Sequence, residues 1–147
     1  SETVSEAKDS VDQKGKSDSL KLPFSWKKKL EDNNERVKLL VDDLMLSIAN
    51  EFSDLTTQPR GDDFQLFRGH TGSKYRFAVL TLRKDGVSVR LRVNVRSLID
   101  PQKWITEKTY KWYFNDGNGE EKEIKITQQD QICYAMELLK QSYALAK

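Results

Sequence analysis

The chain has 147 residues, 37% hydrophobic and 33% charged, which suits one domain with a modest core and has no apolar stretch of membrane-spanning length. One cysteine, Cys133, and one histidine, His70, exclude an intrachain disulfide framework and a Cys/His zinc site, and predict a reducing, cytoplasmic compartment. The net charge is only +2, but between Arg68 and Arg96 eight bases face a single acid, Asp85, so a strong local field is expected where the total is weak.

Residues 1–21 are almost purely polar and charged. They bury too little to offset the entropy of ordering, so they read as a flexible leader or linker, with one domain over 22–147. The opening SETVSEAKDS lacks the apolar region of a secretory signal. Leu22, Phe24 and Trp26 are spaced by two around Pro23. That spacing predicts an extended segment with all three on one side, docked on the domain.

Asp32 and Glu35 form a D-x-x-E variant of the capping box. Val37, Leu40, Val41, Leu44, Ile48, Phe52 and Leu55 then recur at helical spacing, which predicts the first helix. Thr56 to Asp63 contains Pro59 and Gly61 and reads as a loop. Lys74–Arg83 is rich in β-branched and aromatic residues, and Asp85-Gly86 is a hairpin signal. Val87, Val89, Leu91, Val93 and Val95 alternate with Ser88, Arg90, Arg92, Asn94 and Arg96. One face of that strand is apolar and the other polar and basic. Thr109–Phe114 is a third strand, residues 115–119 a turn, and the alternation around Ile124 and Ile126 a fourth strand. A last helix starts at Thr127, with Asp130 as a cap variant and Ile132, Ala135, Met136, Leu139 and Tyr143 as its stripe. The expected fold is α+β in the order α-β-β-β-β-α. It has an antiparallel sheet of about four strands and two main helices on one face.

The hairpin KYRFAVLTLRKDGVSVRLRVN, the turn at Ile99-Asp100-Pro101, and GEEKEIKI running into TQQDQICYAMELLKQSYALA resemble a small domain family of the predicted transport protein type. The resemblance covers roughly Leu30 to Lys147. It implies an accessory module at the C-terminal end of longer bacterial and archaeal chains that carry nuclease-like modules. A nuclease-like parent chain or partner protein would follow. The resemblance brings no catalytic residues with it.

The candidate nucleic-acid-binding residues are Arg76, Arg83, Arg90, Arg92 and Arg96, with Tyr113 or Trp112 as a stacking ring. Guanidinium groups neutralise phosphates and aromatic rings stack on bases. The partner would be DNA or RNA. The competing reading is a sheet face kept soluble by charge, with the arginines paired to Glu121 and Glu123 on the fourth strand. Glu123-Ile124-Lys125, with Asp116 upstream, fits half of a metal-dependent nuclease motif and equally fits plain strand alternation. Gly69–Lys74 lacks the spacing of a phosphate loop and reads as a turn. His70 reads as a solvated loop residue, Cys133 as a small, partly buried thiol, and Asp62-Asp63 as a solvated pair. No motif calls for a cofactor, a metal or a catalytic residue. Trp104, Trp112, Tyr110 and Phe114 form an aromatic set that suits core packing, or a pocket wall or docking patch. The expected function is a non-catalytic accessory binding module for nucleic acid. The alternative is a protein-interaction or scaffolding domain.

Overall fold

The computed structural model describes residues 20–32, 35–93, 98–114 and 117–146, with the backbone alone for 112–114, 117 and 118. The fold is α+β, as the patterning predicts, but larger in both parts. Among the described residues there are three α-helices, α1 (Phe24–Asp32), α2 (Glu35–Glu51) and α3 (Ile132–Leu145). The six strands are β1 (Leu55–Arg60), β2 (Asp63–Arg68), β3 (Arg76–Leu82), β4 (Val87–Arg92), β5 (Thr109–Phe114) and β6 (Gly117–Ile126). They form one antiparallel sheet in the order β1-β2-β3-β4-β6-β5.

The expected order of one helix, four strands and one helix is therefore corrected to two helices, six strands and one helix. Of the two extra strands, β1 lies where Pro59 and Gly61 argue for a loop, and β2 follows it in a stretch for which no element is predicted. β1 is an edge strand, and there a proline costs no ladder bond that the sheet needs. Gly61 sits at φ +60° in the turn between β1 and β2, a conformation glycine adopts without a Cβ clash. Gly86, in the turn between β3 and β4, is required by space. A Cβ there would meet the Ile126 carbonyl oxygen at 2.0 Å.

The extra helix replaces the extended docking segment. Phe24 is 84% exposed while Trp26 is fully buried. Residues two apart on a helix point to nearly opposite sides, so only one of the pair can face the core. Pro23 precedes the first helical residue, where its missing N–H is harmless. Asp32 closes α1 rather than capping α2. The last helix is also reached differently. Gln128 and Gln131 form a reciprocal cap around the short 3-10 turn Gln129–Gln131 that precedes α3, in place of the Thr127/Asp130 pair.

One sheet face carries the core. Val87, Val89 and Leu91 of β4 point into it, as the alternation predicts, together with Leu80, Phe64, Ile124 and Ile126. Leu40, Leu44 and Ile48 of α2 and Ala135 and Leu139 of α3 cover them. α3 lies across β3 and β4 and meets α2. A bulge distorts this arrangement. Leu66 pairs with Ala78 but Phe67 pairs with Arg76, so Phe77 is an extra residue in β3. The bulge turns Phe77 into the core, 4.9 Å from the Phe52 ring and 5.2 Å from the Tyr143 ring. It also turns Arg76 to the opposite face.

A bulge leaves backbone groups to satisfy. Ser142, buried on α3, meets two of them. Its hydroxyl donates to the Phe77 carbonyl and accepts from the Arg92 N–H at 2.8 Å. A single side chain thus closes the end of the β3–β4 ladder and fixes α3 on the sheet. No helix among the described residues is long and apolar enough to cross a membrane.

Candidate functional site

The face of the sheet turned away from the helices carries the chemistry. β-register lines up Gln58, Gln65, Val79, Arg90 and Glu123 across five strands, with Arg60, Asp63, Thr81, Ser88 and Lys125 as the next row. The Ser73–Tyr75 turn that leads into β3 contacts β5, with β4 and β6 between them in the sheet. The face is therefore folded over at that end, and polar side chains there are buried.

Arg76 is the centre of this region. Its guanidinium donates to Gln65 Oε1 at 3.0 Å and to Glu121 Oε1 at 2.9 Å. The two charged side chains are 3% and 0% exposed. Arg92, 1% exposed, donates to the backbone carbonyls of Lys74 at 2.6 Å and Arg76 at 3.4 Å. It holds the Ser73–Tyr75 turn onto the sheet. Arg90 is half-buried. It pairs with Asp63 at 3.1 Å and lies over the Tyr110 ring, 5.0 Å from its centre. Tyr110 in turn donates its hydroxyl to Glu123 at 3.1 Å. Asp63 accepts from Thr81 with its other oxygen, at 2.7 Å.

The expected basic face is thus divided. Arg76 and Arg92 are internal and hold the sheet and its turn together. Arg83 is exposed, with its Nε donating to Ser88 at 3.1 Å, and Arg90 reaches solvent in part. Arg96 and Asp116, and the side chains of Trp112, Tyr113 and Phe114, lie outside the described residues. Of the expected pairing, Glu121 does bind an arginine, Arg76 of β3. Glu123 takes the Tyr110 hydroxyl, and Lys125 pairs with Asp85 at 2.8 Å. Both ends of the Glu123-Ile124-Lys125 match therefore have local partners.

Burial, above all, raises the Glu121 carboxyl above the usual carboxylate range, against the pull of Arg76, Arg90 and Arg92. Burial also lowers Arg76, against the pull of Glu121, and the charges of Arg90 and Arg60 add to that lowering. Both directions mean that desolvation outweighs mutual attraction. Folded protein then holds a proton on Glu121 at pH values where the unfolded chain has released it. Stability from this group falls as pH rises from the ordinary Glu value, about 4.3, to the raised one. Melting curves of the wild type and Glu121→Gln across that window are expected to converge as pH falls and to separate as it rises, with the wild type losing more. The opposite trend would show that the guanidiniums win over burial.

Beside Arg76, a cleft of about 340 Å³ opens between the β1–β2 hairpin and the loop before β3. Its walls are Gln58, Pro59, Arg60, Gln65, Phe67, Thr71, Ser73 and Arg76. Sequence reasoning missed it, because Gln58, Pro59, Arg60, Thr71 and Ser73 come from segments read as a loop and a turn, and Gln65 and Phe67 from a stretch given no element. A signal was present in Asp63–Arg68, where Phe64 and Leu66 alternate with Asp63, Gln65 and Phe67.

A second cleft, about 420 Å³, is walled by Trp104 and Tyr134, whose rings are 5.7 Å apart, with Gln102, Lys103, Gln128, Asp130 and Gln131 around it. The Tyr134 hydroxyl donates to Asp100 and accepts from the Gln102 N–H at 3.0 Å. Trp104 is a half-buried wall of this cleft that also packs against the core, while Tyr110 is half-buried against Arg90 and Glu123. His70 is exposed and packs 5.0 Å from the Tyr75 ring. Cys133 is exposed, which corrects the expectation of a partly buried thiol. Neighbouring Ile132 takes the buried side of α3. Among the described residues, no three His, Cys, Asp or Glu side chains gather in a metal-binding group. Compared with family models, curated proteins and solved structures, the chain matches none of them.

Proposed function

We propose that this domain is a non-catalytic accessory binding module that engages nucleic acid at its outer sheet face. The observation that carries this reading is the set of cations reaching solvent there. Arg83 and Lys84 stand exposed at the β3–β4 turn, and Arg90 lies over the Tyr110 ring on the same face as Arg83. Arg76 and Arg92 support the face from within and do not contact the partner. Cations of this kind neutralise backbone phosphates, and each neutralised phosphate releases counterions.

The test is a titration of a labelled single-stranded oligonucleotide and its duplex. With about three phosphates neutralised, affinity is expected to fall roughly 40-fold for the duplex and roughly 20-fold for the single strand between 50 and 200 mM salt. The exposed pair Arg83→Glu with Lys84→Glu should remove binding and leave the melting temperature within a few degrees. Arg92→Glu is unsuitable, because reversing a buried charge unfolds the protein. If neither oligonucleotide binds at low salt, the proposal is wrong.

A second reading rests on one feature at the other end of the domain. Ile99 is 76% exposed in the segment leading to the Trp104–Tyr134 cleft, and such aromatic and aliphatic surface suits protein docking. A protein partner retained at high salt and released by Ile99→Asp would favour it.

A further inference from the structure

The cleft between the β1–β2 hairpin and the loop before β3 has a one-sided chemistry. No carboxylate lines it. Asp63, across the turn from Arg60, has one oxygen held by Thr81 and the other by Arg90. Glu121 is buried against Arg76. The walls are formed instead by Arg60, Gln58, Gln65, Thr71 and Ser73, side chains that all carry hydrogen-bond donors. Gln65 accepts from Arg76 through its oxygen, which turns its N–H donors to the other side. The terminal nitrogens of Arg76 are held by Gln65 and Glu121, so Arg76 acts on the cleft through its field.

We propose that this cleft is a binding site for a phosphate group, of the size of a terminal phosphate with its sugar. Its volume lies at the lower end of small-ligand sites, about 300–1,000 Å³. A phosphate has acceptor oxygens only, which matches walls rich in donors. Arg60 and Arg76 are close enough to repel one another, and an anion between them converts that repulsion into attraction. The phosphate comes either from the end of a nucleic-acid strand, which rests on the reading above, or from a free nucleotide, which does not.

The experiment uses the full chain with four probes: inorganic phosphate, adenosine 5′-monophosphate, and one single-stranded oligonucleotide carrying either a 5′-phosphate or a 5′-hydroxyl. Amide shifts at residues 58, 60, 65 and 71–76 and dissociation constants are measured for each. The expected result is that both small probes shift these amides and the 5′-phosphate strand binds about tenfold tighter than the 5′-hydroxyl strand, one charge-assisted contact. Arg60→Gln should remove that difference. Thr71→Asp, at an exposed position, should do the same by adding a negative charge, and it serves if Arg60→Gln folds poorly. If the mononucleotide binds while neither strand does, the cleft stands as a free-nucleotide site and the nucleic-acid reading fails. If both strands bind equally and no small probe shifts the cleft amides, the nucleic-acid reading survives and the phosphate site is overturned.

Discussion

Replacing Glu121 with alanine is expected to cost about 3–5 kcal/mol at neutral pH, because it leaves the Arg76 guanidinium buried without its counter-charge. The two side chains are 3% and 0% exposed. Arg90 and Arg92 also act on Glu121, so its loss leaves their like charges mutually uncompensated. Arg76→Ala is expected to fall in the same range, since it strands a buried carboxylate that has one orphan already. Glu121 Oε2 has no hydrogen-bond partner among the described residues. The double variant Arg76→Met, Glu121→Leu tests the cause. Desolvation already outweighs attraction in this pair, so an apolar pair of similar size should recover most of the loss or exceed the wild type. Denaturant midpoints for the four proteins check this. A double variant as unstable as Glu121→Ala would mean that the pair is held for its hydrogen bonds to Gln65 and not merely tolerated.

Trp26→Ala is expected to destabilise by about 3–5 kcal/mol, the range for a large aromatic removed from a core, and to lower the melting temperature by roughly 10 °C. Trp26 is fully buried. Its ring lies 5.9 Å from that of Phe64, and its Nε1 donates to the Asp62 carbonyl at 2.7 Å. It therefore ties α1 to the turn between β1 and β2. Trp26→Phe keeps most of the apolar contact and loses the hydrogen bond, so it should cost about 1 kcal/mol plus a small packing loss. Phe24→Ala, at a position 84% exposed, should be nearly silent. Equal melting temperatures for Trp26→Ala and Phe24→Ala would mean that α1 does not hold the hairpin.

Part of the cleft's architecture follows from the same contact. Arg60 and Pro59 of β1 form one wall, and the turn that follows them is the one Trp26 holds. Loss of Trp26 should therefore weaken phosphate binding along with stability, whereas Glu121→Ala acts through the floor beneath Arg76.

Where a residue's fate depends on its immediate neighbours, the sequence was sufficient. Alternation from Val87 to Leu91 sets one side of β4 against the core, because successive side chains in a strand must point to opposite faces. Asp85-Gly86 makes the β3–β4 turn because only glycine fits against the Ile126 backbone. The stripe from Val37 to Ile48 has helical spacing and is buried along one side. These features set the α+β class and the inward face.

Tertiary structure decided which charges are surface and which are interior. In the sequence Arg76, Arg83, Arg90 and Arg92 look equivalent. The bulge at Phe77 sends Arg76 onto the outer face, and the turn at Ser73–Tyr75 then covers it together with Arg92 and Glu121. That cover forms between segments separated by many residues, and no local pattern records it. Only the run Phe77–Leu80, four apolar residues without a break, hints that both faces are buried there. The same holds for Pro59, which ends a strand's prospects inside a sheet but not at an edge. Whether β1 lies at an edge depends on the order of all six strands. Local residue order carries period and propensity, while strand order and sheet curvature arise from long-range packing.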